Sequence, residues 1–426
     1  MFDKFKQIFK IKDLRKKIFY VLIMLVIFRF AAHIPVPGVD IGVLKKFFEN
    51  NQIFGLLNMF TGGAMDNFSI VALGVGPYIT SSIIMQLLTM VVPALEKLQK
   101  EEGEAGRQKI NQITRYLAVP LAGLQAYAMI ALLQRSGQQI IGDISIFGIL
   151  TTILVMIAGT VFLMWIGELI TENGIGNGIS LIIFAGIVSA IPQAIQQTIV
   201  SFDSSKLFDL IIFAIIALIV VAGIVFITEG QRNVPVSFAR RVKGTKMYGG
   251  SASHIPLKVN QAGVIPIIFA MSIMLFPGMV ANFFVNSANG TVANLAQGVA
   301  SLFDNQLFHG ALYFILVVFF TYFYTAVTFD PKQISENIQR QGGFIPGIRP
   351  GRNTSEYLHR ILNRITLTGA IFLGLVATLP FMMRAIMDIQ SLVIGGTGIL
   401  IVVSVVIETV KQVESQVVMR DYDSFY

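Results

Sequence analysis

Ten apolar runs, each long enough or nearly long enough to cross a hydrocarbon layer of about 30 Å, decide what this chain can become. They cover residues 18–34, 73–92, 116–133, 149–166 and 179–191, then 208–227, 263–284, 310–327, 365–383 and 392–407. Lipid offers no partner to an open N–H or C=O, so runs of this kind fold as helices. The sequence therefore predicts an all-α polytopic membrane protein: ten transmembrane helices, five in each half of the chain. With 54% of its 426 residues hydrophobic and 13% charged, the chain is far more apolar than a water-soluble fold of this length tolerates. The run from Ile179 is short for a full crossing, so it extends through Gln193 to Val200 or sits inside the bundle. The basic stretch from Lys4 to Lys17 followed by an apolar run could pass for a cleaved signal peptide. Residues 33–40 lack a clear small-x-small cleavage site, which favours a retained first span.

Positive charge is segregated along the chain. With the N-terminus in the cytosol, 26 of the 32 Lys and Arg residues fall on cytosolic segments, as the positive-inside rule requires, and both termini are cytosolic. The expected layout is a basic segment at 1–17, a first half over 18–200, a second half over 201–407 and a tail over 408–426.

The second span of each half is interrupted, by Leu73-Gly74-Val75-Gly76-Pro77 in one and by Pro266 and Pro277 in the other. Broken helices at matching places in two inverted repeats point to a functional centre, although Gly and Pro are also common in ordinary membrane helices. Just before the first break lie Phe60, Thr61, Gly62, Gly63, Ala64, Met65, Asp66, Asn67 and Phe68. This stretch reads either as a short re-entrant piece or as an external loop.

Chemistry is sparse. The chain has no cysteine, and no phosphate cradle, zinc motif or nucleophile elbow is present. The histidines at 33, 254, 309 and 359 are too scattered to form a local ligand pair. Gly174-Ile175-Gly176-Asn177-Gly178 resembles part of a dinucleotide loop but follows no strand, so a tight cytosolic turn is expected. Intramembrane charge is almost absent; Arg29 is the main exception and can snorkel to the outer surface.

Two cytosolic connections, 229–258 and 330–364, are longer than a compact bundle needs, and each holds six Lys or Arg residues. In the second, prolines and glycines around Arg349 make a stiff tip that suits docking. Such cations also set topology and touch lipid headgroups, and a guanidinium binds carboxylates and phosphates alike.

Four stretches carry a resemblance to a known family: 74–88 (GVGPYITSSIIMQLL), 171–188 (TENGIGNGISLIIFAGIV), 257–277 (LKVNQAGVIPIIFAMSIMLFP) and 344–351 (FIPGIRPG). From Phe5 to Arg420 the chain resembles the SecY family of bacterial protein-conducting channels. The resemblance implies two inverted five-helix halves around an hourglass pore. A ring formed by Val75, Ile79, Ile183, Ile187, Ile268 and Ile401 closes it, with a plug over about residues 60–71, the re-entrant piece from Phe60 to Phe68 included. Branched aliphatics give ions no replacement for their hydration shell, so a narrow ring of them dewets and seals. The resemblance also implies polar lateral-gate positions at Gln86 and Asn260, and docking of a motor or ribosome at Arg240, Arg241 and Arg349. It further implies small SecE and SecG subunits, the SecA motor, substrates with signal sequences, contact with membrane lipids, and no cofactor or catalytic residue. Val75 stands where isoleucine is usual, and Gly76 follows where relatives often carry a bulkier residue, so a looser waist is expected. A secondary transporter for a small solute shares the inverted repeat, but needs a polar midplane site.

Overall fold

The structure is a computed structural model. It describes residues 11–37, 39, 42–44, 61, 63–65, 67–135, 145–200, 207–238, 241–243, 246–248, 252–284, 290–386 and 396–423. Every one of the ten apolar runs falls on a helix: α1 (Lys12–Ala31), α2 (Gly76–Val91), α4 (Gly103–Arg135), α5 (Ile146–Asn173), α6 (Gly178–Val200), α7 (Leu207–Glu229), α8 (Ile265–Phe284), α10 (Gln306–Thr328), α12 (Arg352–Ile386) and α13 (Gly396–Asp423). Three shorter helices join them: α3 (Pro93–Lys100), α9 (Gly290–Asp304) and α11 (Pro331–Arg340). Among the described residues, the four helices α5, α7, α10 and α12 are long and apolar enough to cross a membrane by themselves. The short run from Ile179 resolves as the first alternative expected, since α6 continues past Pro192 to Val200.

Helix ends follow local chemistry. Pro77 sits in the first turn of α2 and Pro331 in that of α11, where a missing N–H costs nothing. The Asp330 carboxylate caps α11 by accepting from the N–H groups of Lys332 (2.9 Å) and Gln333 (3.3 Å). After α2 the chain turns by 105° at Val92, and Pro93 opens α3. Gly106 lets α4 meet α3 closely, because a Cβ there would lie 1.8 Å from the Leu98 carbonyl oxygen.

The two long connections are not plain loops. Residues 231–258 form β1 (Gln231–Phe238), β2 (Arg241–Lys243), β3 (Lys246–Tyr248) and β4 (Ala252–Lys258). With β5 (Gly343–Phe344) from the second connection they make a small antiparallel sheet of order β4-β1-β5, while β2 pairs with β3. The β1–β4 register pairs Gln231 with Lys258 through to Ser237 with Ala252. Val234, Val236, Leu257, Ile338, Ile345, Leu358 and Ile361 form a buried core beneath this sheet. It welds both connections into one small domain, an addition to the all-helical expectation.

The chain divides into two units, Met1–Asp203 with Met271–Asn305 and Val405–Tyr426, and Ser204–Ala270 with Gln306–Ser404. In the first, α4 packs on α2 and α5, and α5 on α6 and α1. In the second, α10 lies along α12, and Gly374 and Gly223 admit the rings of Phe314 and Phe372.

Candidate functional site

In the first unit, the segment before α2 does not run as a free loop. Pro35 and Ser69 form an antiparallel bridge, Val36 N–H donates to Phe68 O (2.9 Å) and Ile70 N–H to Ile34 O (3.0 Å). Local turns close it further, from Phe68 N–H to Met65 O and from Ser69 N–H to Ala64 O, both 2.9 Å. Met65 and Phe68 are buried in a cluster with Leu73, Ala122, Ala126 and Met156, so the piece packs on α4 and α5. Gly63 (φ +76°) and Gly74 (φ +57°) supply left-handed backbone, and Thr61 lies against Gly74. Phe60, Gly62 and Asp66 lie outside the described residues.

The break at Leu73 to Pro77 is where α2 begins. Val75, the residue before the helix, is buried, and Ile79 one turn on is half-buried. On α6, Ile183 and Ile187 are each 1% exposed, although this is an apolar helix with lipid available to it. In the second unit, Ile268 of α8 and Ile401 of α13 are also buried.

Gln86 on α2 is half-buried, and its Oε1 is a buried acceptor with no hydrogen-bond partner. Asn260 in the second unit is buried; its Nδ2 donates to Gly263 O (3.2 Å) while Oδ1 is likewise unmatched.

Arg349 is exposed on a braced tip. Its backbone carbonyl accepts from Thr354 Oγ1 (3.0 Å), Ser335 Oγ donates to Gly351 O (2.7 Å), and Ile345 anchors the tip in the sheet core. Gly347 and Gly351 take positive φ, as the proline-glycine pattern anticipates. Arg241 opens β2 opposite Tyr248, and Arg240 lies outside the described residues.

The TENGIGNG stretch is the tight turn expected between α5 and α6. Thr171 Oγ1 donates to Gly167 O (2.8 Å) and accepts from Gly178 N–H (2.9 Å). Gly176 N–H donates to Gln412 Oε1 of α13 (2.7 Å), and Asn177 Oδ1 caps Ser180 N–H. This junction fixes the start of the helix that carries Ile183 and Ile187. Two further contacts had no signal in the sequence: the ion pair of Arg115 on α4 with Glu168 on α5, and the Ser81 Oγ–H donation to Thr114 O (2.7 Å) that ties α2 to α4. Among the described residues no group of His, Asp or Glu is placed to hold a metal ion.

A many-span helical membrane protein, with an interrupted second span and an inward-packed segment before it, is the class these features define. A family model described as SecY matches residues 69–410. A Streptomyces scabiei protein described as protein translocase subunit SecY is 44% identical over 100% of both chains, and a Mycobacterium tuberculosis protein of the same description is 45% identical over 97% of both. Among solved structures, one described as a protein conducting channel superposes with TM-score 0.62 at 20% identity, covering 93% of this chain and 91% of that one. Sec61 in a canine ribosome-channel complex superposes with TM-score 0.58 at 19% identity, with the same coverage. The chain belongs to the SecY family.

Proposed function

We propose that this chain is the pore-forming subunit of a bacterial protein translocase, a passive channel that passes unfolded secretory polypeptides and releases hydrophobic segments sideways into the bilayer. The observation that carries this reading is the likeness to translocase subunits along the whole chain. The chain sits in the cytoplasmic membrane with both termini in the cytosol, its two halves spanning 18–200 and 201–407.

The waist is formed by Val75, Ile79, Ile183, Ile187, Ile268 and Ile401. Burial of aliphatics on membrane helices is the property a dry constriction needs, since they offer no polar atom to a dehydrating ion. The same side chains yield to a peptide, because their contacts are many and individually weak. The segment from Phe60 to Phe68 is the plug of the resting channel. Gln86 and Asn260 mark the seam of the lateral gate, where a polar helix contact worth about 0.6–2 kcal/mol is weak enough for a signal sequence to replace. A segment rich in Leu, Ile and Phe then gains free energy by leaving through the seam, whereas a charged one does not.

Arg240, Arg241 and Arg349 form the cytosolic docking surface for the SecA motor and the ribosome, which supply the energy together with the membrane potential. SecE and SecG complete the complex, and membrane lipids surround it. The transporter alternative requires a polar midplane site, which these positions do not offer.

Disulfide crosslinking tests the reading directly. Single replacements Ile79→Cys, Ile187→Cys or Ile268→Cys are combined with one cysteine in a stalled secretory polypeptide. Crosslinks at all three, absent at the lipid-exposed control Leu218→Cys, are expected. Active secretion without any crosslink removes the pore assignment.

A further inference from the structure

The plug reading gains a specific anchor from one backbone contact. Where the segment ends, the Ile70 carbonyl approaches α5 at Gly159 so closely that a Cβ on that glycine would lie 1.9 Å from Ile70 O, 2.7 Å from Ile70 C and 3.3 Å from Val71 Cα. Those atoms are main chain, so no change of rotamer relieves the clash. The Ile70–Val71 backbone is held there from other directions: Ile70 N–H is bonded to Ile34 O, and Val71 N–H to Ser69 Oγ (3.3 Å). Met156, one turn earlier on α5, is fully buried in the cluster that also takes Met65 and Phe68. Phe68 itself takes φ +41°, a left-handed conformation costly for a bulky residue that persists where surrounding contacts over-determine it.

We propose that Gly159 is a positioning residue for the closed channel: its bare Cα is the notch that receives the Ile70 carbonyl and so seats the plug on α4 and α5. The proposal rests on the channel reading and on the assignment of the plug to this segment. Gly159 acts by fixing where the plug rests.

The test uses the full chain with its membrane partners, carrying Ala64→Cys in this cysteine-free sequence, at a position 0% exposed. Maleimide labelling at position 64, ion conductance of the idle channel and translocation of a secretory polypeptide are read together. Adding Gly159→Ala is expected to raise the labelling rate about tenfold, as local opening does for a protected group. Idle conductance rises with it while translocation persists, a split that general misfolding would not produce. Gly123→Ala on α4, whose Cβ would meet only the end of the Ile157 side chain at 3.3 Å, is expected to change none of the three. Labelling that stays at the parental rate in Gly159→Ala overturns the seat. Raised labelling in a protein whose parent shows neither conductance nor translocation leaves the seat standing and overturns the channel reading. Should Gly159→Ala fail to accumulate, Ser69→Ala, which removes the acceptor of Val71 N–H, is expected to raise labelling about threefold. A parental rate there overturns the proposal as well.

Discussion

Close backbone approach is the recurring residue-scale device in this protein, and glycine is what permits it. At Gly178 a Cβ would lie 1.9 Å from the Gly167 carbonyl oxygen, so α5 and α6 meet main chain to main chain. Gly178→Ala is therefore expected to cost about 1–3 kcal/mol through overpacking, read as a lower unfolding midpoint of the purified complex. Gly298→Ala on α9, where nothing beyond the local helix backbone lies within 4 Å of the added carbon, is expected to raise that midpoint slightly, since alanine is the better helix former by about 0.5–1 kcal/mol. The sequence displayed the TENGIGNG stretch and its turn character, because glycine and asparagine announce tight backbone. It could not display why Gly176 is there: its N–H partner, Gln412, stands 236 positions away. The Gly159 contact was equally hidden, since a lone glycine in an apolar run carries no mark of what lies against it.

At the scale of elements, hydropathy located the ten helices that carry the apolar runs but not their ends. The helices α4, α12 and α13 run well beyond their apolar windows into polar sequence at 103–115, 352–364 and 408–423, where an apolar window has nothing to follow. The sheet was less legible still. Its strands are short and charged, and two carry proline; only the alternation of Val234 with Val236, and of Ile255 with Leu257, marks an inward face. Leu257 is fully buried beneath that sheet, so Leu257→Ala is expected to destabilise the sheet domain by about 2–5 kcal/mol. The readout is faster proteolysis within 231–258 while the spans remain intact. Arg349→Glu is a different kind of change, because the tip is held by the backbone carbonyl of Arg349 and by Ile345, not by the guanidinium. Motor-driven transport should fall severalfold, while membrane insertion of the chain and its thermal midpoint remain normal. Normal transport by that variant would remove the docking role.

At the scale of the whole molecule, charge and the proposed aliphatic waist each carry an expectation. Docking of acidic or phosphate-bearing partners on a chain of net charge +8, with cations concentrated in two connections, is expected to weaken steeply with salt. Between about 50 and 200 mM the screening length roughly halves, so motor affinity measured on membranes should drop by about an order of magnitude. Replacing both Ile183 and Ile187 by serine is expected to raise idle ion conductance about tenfold, because hydroxyls hydrate the constriction. The two connections, finally, are mechanically joined to the spans. Val259 N–H bonds Gly230 O (2.8 Å), closing the foot of the β1–β4 ladder where α7 ends, and the Val259 carbonyl oxygen lies 2.7 Å from where a Cβ on Gly369 of α12 would be. The seven paired residues above that foot make a stiff arm of about 20 Å. A load applied to the sheet is thus delivered as torque at Val259, one residue before Asn260 and six before α8. On the docking reading proposed above, a partner seated on the sheet holds a lever whose short end is the segment leading into α8.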